Sequence, residues 1–382
     1  MISVTRRSFL RSGLAAGAAV AVPLASHRAV GANDAIRLGM ISCGGRGGEH
    51  RAVFSKMAGV RIAGLCDPDR TRLAGAAERF PEAKTATDLR RLLDDPGIDA
   101  VVLAMAVHWH SLATIWAVQA GKDVYCEKPM SHNLWEARQA VAAVEKSGRI
   151  CQHGTQQRSD PMQAEIRKFL HEDRTLGKIL SARVNRYGVR PPIGKRDTPL
   201  PIPEDVDYNL WLGPAKDVPI YRDKLQYDWH WDWNTGAGEM GNWGVHVLDD
   251  MRANVLLDKV VLPRRICGGG GRVAFNDAGQ TPNVHFVYFD AGVMPVVIGL
   301  SNLPAEPGSR SASPHPGPGS GYIAYCEGGR LEGQRGRAVA FDREGKEIRR
   351  FSGNSGNVIH QQNFIDALRA RDASLLNSPI CV

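Results

Sequence analysis

The sequence predicts an α/β protein with an N-terminal Rossmann domain, built on a doubly wound parallel sheet, and a C-terminal α+β domain with a largely antiparallel, open-faced sheet. Three observations predict this fold class. Short apolar runs alternate with helix-length segments from residue 36 to about residue 155, and a glycine cluster follows the first run. After residue 157 the strand candidates succeed one another with only turn residues between them. Repeated strand–helix units favour parallel strands, whereas consecutive strands favour antiparallel ones.

The parallel sheet is predicted from the order of apolar runs and helical segments. The strand candidates are the apolar runs at 36–42, 60–67, 98–105, 123–129 and 149–155. The helix candidates, with apolar residues at helical spacing, lie between them at 69–80, 88–95, 110–121 and 134–148. Gly121 and Gly148 follow the last periodic residues of two segments, as helix stops do. Ligands of parallel sheets bind at the carboxyl ends of the strands, so unusual residues there form the candidate site.

The length of the chain allows two domains after a leader segment. It has 382 residues, more than a single hydrophobic core usually supports. We assign residues 1–32 to an export signal, 33–156 to a nucleotide-binding domain, and 157–382 to a domain for substrate binding and oligomerisation.

Residues 1–32 have the composition of a twin-arginine export signal. Arg6 and Arg7 precede Phe9, and a weakly hydrophobic stretch rich in Ala, Gly and Val follows at 13–25. This stretch is too short to span a bilayer comfortably as a permanent helix. We therefore expect a periplasmic protein with no stable membrane insertion after signal cleavage.

The charge and the cysteines exclude several classes of function. The formal net charge is +8, but Arg6, Arg7, Arg11 and Arg28 lie in the signal segment and no basic run occurs elsewhere. We therefore expect no nucleic-acid partner. The seven cysteines include no CxxC pair and no cluster with histidine, so we predict neither a disulfide framework nor a metal site. We expect them to be small buried residues.

The glycine cluster after the first strand resembles a dinucleotide-binding loop in its spacing. The segment 42–47 follows the pattern G-x-G-x-x-G, except that Ser42 takes the place of the first glycine. Gly44 would let the backbone approach a pyrophosphate, and Gly47 would let the next helix pack close to the strand. Serine is small enough to substitute for this glycine if the dihedrals at the position are not left-handed. The predicted cofactor contacts of the loop are Ser42, Gly44, Gly45, Arg46 and Gly47.

An acidic residue at the end of the second strand supports this interpretation. Asp67 follows Gly47 by twenty residues, where a carboxylate can accept hydrogen bonds from the ribose hydroxyls of adenosine. A carboxylate there repels a 2′-phosphate, so we expect NAD in preference to NADP. The alternative is that Asp67 only caps the helix that begins near Asp69.

Three segments together carry a resemblance to a known family. They are "DVYCEKPMSH" at 123–132, "AMAVHWH" at 104–110 and "GTQQR" at 154–158. Here the sequence resembles the Gfo/Idh/MocA family, the glucose–fructose oxidoreductase and inositol dehydrogenase group, with its EKP signature at Glu127, Lys128 and Pro129. The resemblance extends from about residue 35 almost to the end, and it is closest to the exported branch of the family.

The resemblance implies roles for the residues of the first domain. Lys128 would hydrogen-bond the reacting hydroxyl and help to relay its proton, with a pKa lowered by burial. Glu127 and Pro129 would shape the turn, and the Lys–Pro bond is often cis in the family. The cofactor-contacting segment usually reads T-P-x-x-x-H, and here only the histidine positions fit. The further cofactor contacts that the resemblance implies are Met105, His108, His110, Glu127, Lys128 and Gln156.

Candidate functional residues of the second domain are most concentrated at 227–250, "YDWHWDWNTGAGEMGNWGVHVLDD". The resemblance implies that His246 takes the hydroxyl proton while hydride leaves the carbon, and that Asn242, four residues earlier, replaces the family's Asp. Asparagine cannot raise the basicity of a histidine as a carboxylate does, but it can orient a ring or a sugar hydroxyl. The alternating tryptophans form either a junction core or a stacking platform for a sugar. The predicted substrate contacts are Arg158, His230, Trp231 and Asp249.

The rest of the second domain is predicted to form the open-faced sheet. The strand candidates are 178–188, 264–275, 283–290, 293–300, 321–326 and 337–342. The Pro/Gly/Ser-rich stretch 302–320 is predicted to be a loop. By the resemblance, the open face makes homo-oligomer contacts, and the helix at 357–372 packs back across the first domain. Relatives generally continue for about another helix, so we expect a truncated C-terminus.

The predicted function is that of an exported NAD-dependent oxidoreductase, which transfers hydride between nicotinamide and a secondary alcohol of a sugar, sugar derivative or polyol. Two alternatives stay open. One is an NAD-dependent, redox-neutral glycoside hydrolase that oxidises C3 transiently and eliminates the leaving group. The other is a sugar-binding relative without catalysis, which the Asn242 and Met105 departures favour.

Overall fold

The computed structural model describes residues 35–380, so the predicted export signal lies outside the described residues. Its first sheet has six parallel strands in the order β3-β2-β1-β4-β5-β6, which confirms the predicted Rossmann topology. These strands are β1 Ile36–Ile41, β2 Val60–Cys66, β3 Lys84–Ala86, β4 Ala100–Leu103, β5 Asp123–Glu127 and β6 Cys151–Gly154. The strand order reverses between β1 and β4, and the carboxyl ends of these two strands border the crevice where dinucleotides bind in this fold.

Helices cover both faces of this sheet, and their ends follow local capping rules. They are α1 Gly45–Phe54, α2 Arg70–Ala77, α3 Leu89–Leu93, α4 His110–Gln119 and α5 Leu134–Ser147. The side chain of Asp69 accepts a hydrogen bond from Arg72 N at 3.1 Å and so caps α2. Gly148 ends α5 with φ +62°, as predicted for a helix stop. Because Asp69 caps α2, Asp67 is available for another role.

The second sheet has eight strands in the order β14-β13-β12-β11-β7-β10-β9-β8. Only β7 and β10 pair in parallel, so the sheet is largely antiparallel, as predicted. The strands are β7 Ile179–Tyr187, β8 Arg265–Gly271, β9 Val284–Asp290, β10 Pro295–Ser301, β11 Ser320–Cys326, β12 Gly329–Gln334, β13 Arg337–Asp342 and β14 Glu347–Ser352. The strands β12 and β14 were not predicted, because β12 is short and contains two glycines and β14 buries only Phe351.

One face of the second sheet is covered by helices and the other is open. The helices of this domain are α6 Met162–Arg167, α7 Tyr208–Leu212 and α8 Val245–Val255. Met251 of α8 packs in one core with Val184, Ile298 and Tyr322 of the sheet. On the opposite face Phe286 is 50% exposed, which agrees with the predicted open face.

The last helix, α9 Asn357–Ala370, returns to the first domain, as the resemblance implied. Its Phe364 and Leu368 are buried in one cluster with Leu38 of β1 and Phe54 of α1. The hydrophobic core of the Rossmann domain is therefore completed by a segment more than 200 residues further along the chain, and a single boundary at residue 156 does not divide the two cores.

Two further observations concern the composition of the described residues. Of the six cysteines among them, five are buried, but Cys267 on β8 is exposed, so the prediction of burial was wrong for Cys267. Within residues 35–380 no helix has both the length and the apolar character that crossing a bilayer requires.

Candidate active site

The glycine loop between β1 and α1 keeps a left-handed residue at the position of the first glycine. Ser42 has φ +85°, so the condition under which serine could replace this glycine without strain is not met. The reason is steric: a Cβ on Gly47 would lie 2.1 Å from the Ser42 carbonyl oxygen, so the loop must turn sharply to let α1 approach. Gly44 caps α1 and Gly45 is its first residue, so the backbone N–H groups at the helix N-terminus form a cradle suited to a phosphate.

Asp67 lies at the end of β2, beside this loop. Its carboxylate is buried and accepts hydrogen bonds from Cys43 N at 2.7 Å and from Asp69 N at 3.0 Å. Burial raises the pKa of Asp67, and these two backbone donors oppose that rise. The carboxylate therefore ties the glycine loop to β2 as well as facing the adjoining cavity.

A cavity of about 420 Å³ opens next to Asp67. Its walls include Met105, Trp116 and Leu210, and both Ser42 and Asp67 reach it. Its size and its mixture of apolar walls with a few polar groups are typical of a ligand site. The glycine cradle, the carboxylate and this cavity fit the pyrophosphate, ribose and adenine of a dinucleotide.

A segment of the second domain borders this cavity, and we call residues 204–214 the adenosine strap. The backbone N–H of Arg70 donates to Asp205 O at 2.9 Å, and that of Asp207 donates to Pro68 O at 2.9 Å. Further along, the indole N–H of Trp109 donates to Trp211 O at 3.1 Å. The strap is thus hydrogen-bonded to the residues that follow β2 and to the turn before α4, and several of its residues between 209 and 214 form one wall of the cavity.

The two histidines after β4 have structural contacts in place of the predicted cofactor contacts. The ring nitrogens of His108 lie 3.3 Å from Thr235 O and 3.2 Å from Trp211 O. Those of His110 lie 2.6 Å from Pro129 O and 3.0 Å from Met105 O. Both rings are buried against backbone carbonyls, and neither has a nitrogen free for a ligand. Of this segment, Met105 alone among the predicted residues lines the cavity.

Glu127 is the centre of a buried network under the turn that carries Lys128. Its Oε1 lies 2.7 Å from His50 Nε2 and accepts from Arg46 Nε at 2.8 Å, while Oε2 accepts from Lys128 N at 3.0 Å. These partners hold the pKa of Glu127 well below its usual value against the opposing effect of burial. The side chains of Glu127 and Arg46 thus support the turn, and the Lys128–Pro129 bond is cis, as the resemblance implied. Gln156, also predicted to contact the cofactor, is buried, and its Oε1 has no hydrogen-bond partner among residues 35–380.

Lys128 reaches the tryptophan-rich segment of the second domain. Its Nζ donates to Asn242 O at 2.6 Å and lies 3.3 Å from Asn242 Oδ1. The amide Nδ2 of Asn242 donates in turn to Glu239 Oε2 at 3.3 Å. Burial lowers the pKa of Lys128, and the carboxylates of Glu127 and Glu239 oppose this. The amide therefore connects the lysine to a carboxylate three residues upstream.

His246 lies on α8, four residues after Asn242. A π-helical turn, Met240–Gly244, precedes α8, a local geometry that is often found at functional sites. The ring of His246 is buried, and its Nδ1 has no hydrogen-bond partner among residues 35–380. Burial, followed by the charges of Lys128 and Arg335, lowers the pKa of His246 well below 6.5. At neutral pH the ring is therefore uncharged and can accept a proton.

Arg158 and Asp249 are not free to contact a substrate as predicted. Arg158 donates two hydrogen bonds to Asp249 at 2.7 Å and two more to Asp258 at 2.7 and 2.9 Å. The charges of Arg158 and Asp249 are therefore neutralised by ion pairs within the protein, and neither is left to bind a substrate. The next residue of α8, Asp250, is buried and lies one turn after His246 on the same helical face.

The aromatic segment forms a wall and only partly a platform. Trp231 is 5% exposed, which disagrees with its predicted stacking on a substrate. His230 stacks on Trp229 with ring centroids 3.7 Å apart, and its Nδ1 lies 2.6 Å from Tyr227 O. Burial, with the charges of Lys128 and Arg190, lowers the pKa of His230 to about 3, so it is a neutral wall residue. Trp233 is the exposed tryptophan of this group, at 54%.

Several site residues were missed by the sequence analysis. Glu239 is fully buried and forms ion pairs with Arg186 at 2.6 Å and Arg190 at 3.3 Å. Arg335 comes from the turn between β12 and β13. Asp250 could have been found from its four-residue spacing to His246, and Glu239 from its place in the glycine-rich turn. No local pattern indicates Arg335, because only the folding of the second sheet brings it to α8.

Two models of one oxidoreductase family match parts of this chain. Residues 36–155 match the GFO_IDH_MocA profile, described as an oxidoreductase family with an NAD-binding Rossmann fold. Residues 192–291 match GFO_IDH_MocA_C2, described as the C-terminal alpha/beta domain of an oxidoreductase family. Together the two matches include Glu127, Lys128, Glu239, Asn242 and His246, but they leave out residues 156–191, α9 and the turn that carries Arg335.

Individual relatives match this chain at low sequence identity or over only part of their length. Inositol 2-dehydrogenase 2 of Saccharopolyspora erythraea is 34% identical over 159 residues, which are 41% of this chain and 47% of that protein. The match thus spans less than half the length of that relative. The structure of the WlbA dehydrogenase from Bordetella pertussis in complex with NADH and UDP-GlcNAcA aligns with a TM-score of 0.66 at 17% identity, over 91% of each chain. A levoglucosan dehydrogenase in complex with NADH and levoglucosan aligns with a TM-score of 0.66 at 17% identity, over 89% of this chain and 91% of that one. At these identities the two structures show a shared fold.

Proposed function

The chain belongs to the Gfo/Idh/MocA family of oxidoreductases with an NAD-binding Rossmann domain, and from this premise we propose that it oxidises or reduces a secondary alcohol of a sugar, sugar derivative or polyol. The observation that carries the proposal is the 2.6 Å hydrogen bond from Lys128 Nζ to Asn242 O. It brings the lysine of the first domain to the turn that leads into His246 of the second. The relatives named for inositol and levoglucosan support a polyhydroxylated substrate.

The geometry supports different roles for the side chains of Lys128 and His246. Lys128 donates a hydrogen bond to the substrate oxygen, which favours the negative charge that develops there during alcohol oxidation. His246, neutral because it is buried, accepts the hydroxyl proton and returns it in the reverse direction. NAD, when bound, supplies the acceptor or donor of the hydride. Ser42, the loop glycines, Asp67 and Met105 are placed to hold the cofactor.

The cofactor is proposed to stay bound between turnovers, so that the NADH formed by oxidation of an alcohol is reoxidised in the same site by reduction of a carbonyl compound. The adenosine strap borders the cavity beside Asp67 and forms hydrogen bonds to the residues that follow β2 and to the turn before α4. Release of the adenosine half would require this strap to lift. A retained cofactor suits a protein that folds before export, so we also propose that the twin-arginine segment directs the chain to the periplasm. Replacing Arg6 and Arg7 with Lys should leave the protein in the cytoplasmic fraction, and an unchanged periplasmic yield would contradict this.

The experiment that tests the function starts from purified protein with its bound nucleotide. The nucleotide is released from one portion of the protein and identified. The remaining protein, with its nucleotide still bound, is screened against a panel of glycosides and polyols for absorbance of reduced nicotinamide and for free aglycone. We expect a keto product together with reduced NAD, and we expect Lys128→Met and His246→Ala to reduce the rate by at least about a hundredfold. Lys146→Met, at an exposed position near the end of α5, is the matched control for loss of a lysine charge.

The outcomes separate the proposed function from the alternatives. Release of aglycone without net reduction of NAD would replace the proposal with redox-neutral glycoside hydrolysis. Bound NAD without turnover of any panel member would favour a sugar-binding relative. Turnover that survives both Lys128→Met and His246→Ala would show that the site assignment is wrong.

A further inference from the structure

Arg335 lies beside the proposed proton acceptor although it comes from a distant hairpin. It occupies the turn between β12 and β13, and its guanidinium carbon lies 5.0 Å from the ring centroid of Trp243. The ring of Trp243 makes an edge contact with His246, with centroids 5.8 Å apart. The guanidinium is therefore separated from the catalytic imidazole by a single aromatic ring.

The charge of Arg335 has no carboxylate partner among residues 35–380. Its Nε donates to Gln157 Oε1 at 3.2 Å, and its two terminal nitrogens make no hydrogen bond to any described residue. Neighbouring guanidinium groups differ in this respect, since Arg186 and Arg190 pair with Glu239 and Arg46 pairs with Glu127. Burial lowers the pKa of Arg335, which means that its charge is partly desolvated without a compensating ion pair.

The amide of Gln157 holds this guanidinium over the face of α8. Its Nε2 donates a short hydrogen bond to Asp250 Oδ2, one turn after His246, while its Oε1 accepts from Arg335. Burial raises the pKa of Asp250 well above its usual value, and among the hydrogen bonds of residues 35–380 this carboxyl group reaches Arg335 only through the amide of Gln157. The arrangement parallels the contact of Lys128 with Asn242, whose amide also stands between a cation and a carboxylate.

The site therefore presents two cations that are held by amides and not consumed in direct ion pairs. The charge of Arg335 lowers the pKa of both Lys128 and His246, which places all three groups within electrostatic reach of one another. Glu127 and Glu239 are already occupied by Arg46 and by Arg186 with Arg190. A partly buried, planar donor pair with no partner is the group that proteins use to bind carboxylates and phosphates.

We propose that the free guanidinium fork of Arg335 binds an anionic group of the substrate, so that the chain acts on sugars or polyols that carry a carboxylate or a phosphate. This inference rests on the proposed function, whose site it makes more specific. The anionic group lies on the Trp243 side of His246, and the reacting hydroxyl lies between His246 and Lys128. Arg335 thereby orients the substrate and selects it by charge.

The test compares matched acidic and neutral compounds on the full chain with its bound NAD. The pairs are methyl β-D-glucuronide with methyl β-D-glucoside, and D-gluconate with D-glucitol, together with the 6-phosphate of the glucoside. Turnover and calorimetric binding are measured for the unmodified protein and for Arg335→Gln and Arg335→Lys. Arg337→Gln is the matched control. Arg337 is exposed on the same hairpin, and its substitution removes the same charge. Thermal melting confirms that each variant is folded.

We expect the unmodified protein to prefer the acidic member of at least one pair. Arg335→Gln should raise KM and Kd for that acid by about tenfold to a hundredfold while changing the neutral member by less than about twofold. Arg335→Lys should restore part of the preference, and Arg337→Gln should leave it intact. A carboxylate source and a phosphate source are distinguished by which compound loses affinity.

Other results would overturn the inference. An equal loss of affinity for the acidic and the neutral compound in Arg335→Gln would show that Arg335 has a structural role. Loss of retained NAD, with an unchanged ratio of acid affinity to neutral affinity, would show that Arg335 binds the cofactor. Turnover of neutral compounds alone would leave the proposed function standing and remove this inference. Arg335-dependent binding of an acid without any turnover would do the reverse, since it would support the anion site and contradict the oxidoreductase activity.

Discussion

At the scale of single residues, the most informative position is Ser42, because it departs from the dinucleotide pattern in a loop that still needs glycine geometry. Its φ of +85° is uncommon for a residue with a Cβ. Gly47 permits this turn, since a Cβ at residue 47 would lie 2.1 Å from the Ser42 carbonyl oxygen. The sequence deviates from the motif, but the backbone conformation does not.

We predict that Ser42→Gly stabilises the protein. Relief of the left-handed conformation is worth about 1–2 kcal/mol, and the greater freedom of glycine in the unfolded chain offsets about 0.5–1 kcal/mol of it. Chemical denaturation should therefore show a net gain of about 1 kcal/mol. Ser42→Ala, which keeps the Cβ, is the control and should show no such gain. Equal stabilities for the two variants would contradict a strained Ser42.

Glu239 is the second residue whose role only the structure shows. Asn242 stands where the resemblance implies a carboxylate, and its Nδ2 donates to Glu239 at 3.3 Å while its Oδ1 lies 3.3 Å from Lys128 Nζ. Glu239 therefore orients the amide and acts on Lys128 through it, as a positioning residue. The negative charge missing at residue 242 is supplied from three residues upstream.

We predict that Glu239→Gln lowers kcat by about tenfold, the effect of losing one hydrogen bond to a charged group. The charge of Glu239 raises the pKa of Lys128, so the variant should also shift the pH–rate limb of this lysine to lower pH. Glu239→Asp should restore part of the rate, and Glu332→Gln serves as a control for charge loss elsewhere in the domain. A lower rate with an unmoved pH profile would reduce Glu239 to a structural partner of Arg186.

At the scale of elements, the adenosine strap connects the two domains beside the cofactor cavity. Gly213, at the end of α7, has φ +52°, and a Cβ there would lie 2.0 Å from the ring of Trp109. Close approach of the strap to the turn before α4 therefore depends on this glycine. The same contact positions Trp211 O to accept from the indole of Trp109.

We predict that Gly213→Ala loosens the strap and accelerates the loss of NAD. The nucleotide retained per chain is measured at intervals after gel filtration. The half-life of NAD dissociation obtained in this way should fall by at least about tenfold. Gly308→Ala is the matched control, because Gly308 also has positive φ but open space around it. If the two variants retain NAD equally, the strap does not hold the adenosine half.

At the scale of the whole molecule, the open face of the second sheet and the buried histidines have consequences that can be measured. Phe286 and Tyr288 alternate along β9 on the face that no described helix covers, and they are 50% and 39% exposed. Exposed aromatic residues on a sheet face are typical of an interface between subunits.

We predict that the protein is a homo-oligomer through this face and that Phe286→Glu dissociates it. A buried carboxylate without a partner is costly, so sedimentation should show smaller species at micromolar concentration. Leu375→Glu, at another exposed apolar position, is the control and should leave the assembly unchanged. A monomeric unmodified protein would contradict the prediction directly.

Acid should destabilise the fold through histidines that are buried in the neutral form. Burial lowers the pKa of His108, His153 and His360 to about 4. Since the unfolded chain binds these protons near pH 6.5, the stability is complete above pH 6.5 and falls as the pH drops towards 4. The free energy of unfolding should decrease by up to about 1.4 kcal/mol per pH unit for each histidine.

His153→Gln tests this, because the Nε2 of His153 has no hydrogen-bond partner among residues 35–380 and little else is lost. The slope of stability against pH between 6.5 and 4 should become shallower by about one proton. An unchanged slope would show that His153 does not titrate in that range. Denaturant titrations at several pH values supply the measurement.

The sequence by itself determined the local features of this protein. The alternation of apolar runs and helical segments predicted the Rossmann sheet, and the glycine spacing with Asp67 and the EKP turn predicted where a dinucleotide would bind. The open sheet followed from consecutive strands. These features are local, since periodicity, capping and turn chemistry act over a few residues.

The tertiary structure alone decided which of these side chains meet. Arg158 and Asp249 form an ion pair with each other, although the sequence analysis assigned both to substrate binding. The rings of His108 and His110 contact backbone carbonyls, although the sequence analysis assigned both to cofactor binding. The tertiary structure also brought α9 into the first core, and it brought Glu239 and Arg335 to Lys128 and His246. The physical reason is that ion pairs and burial depend on distances between segments far apart in the chain, which register and packing set and no local pattern encodes.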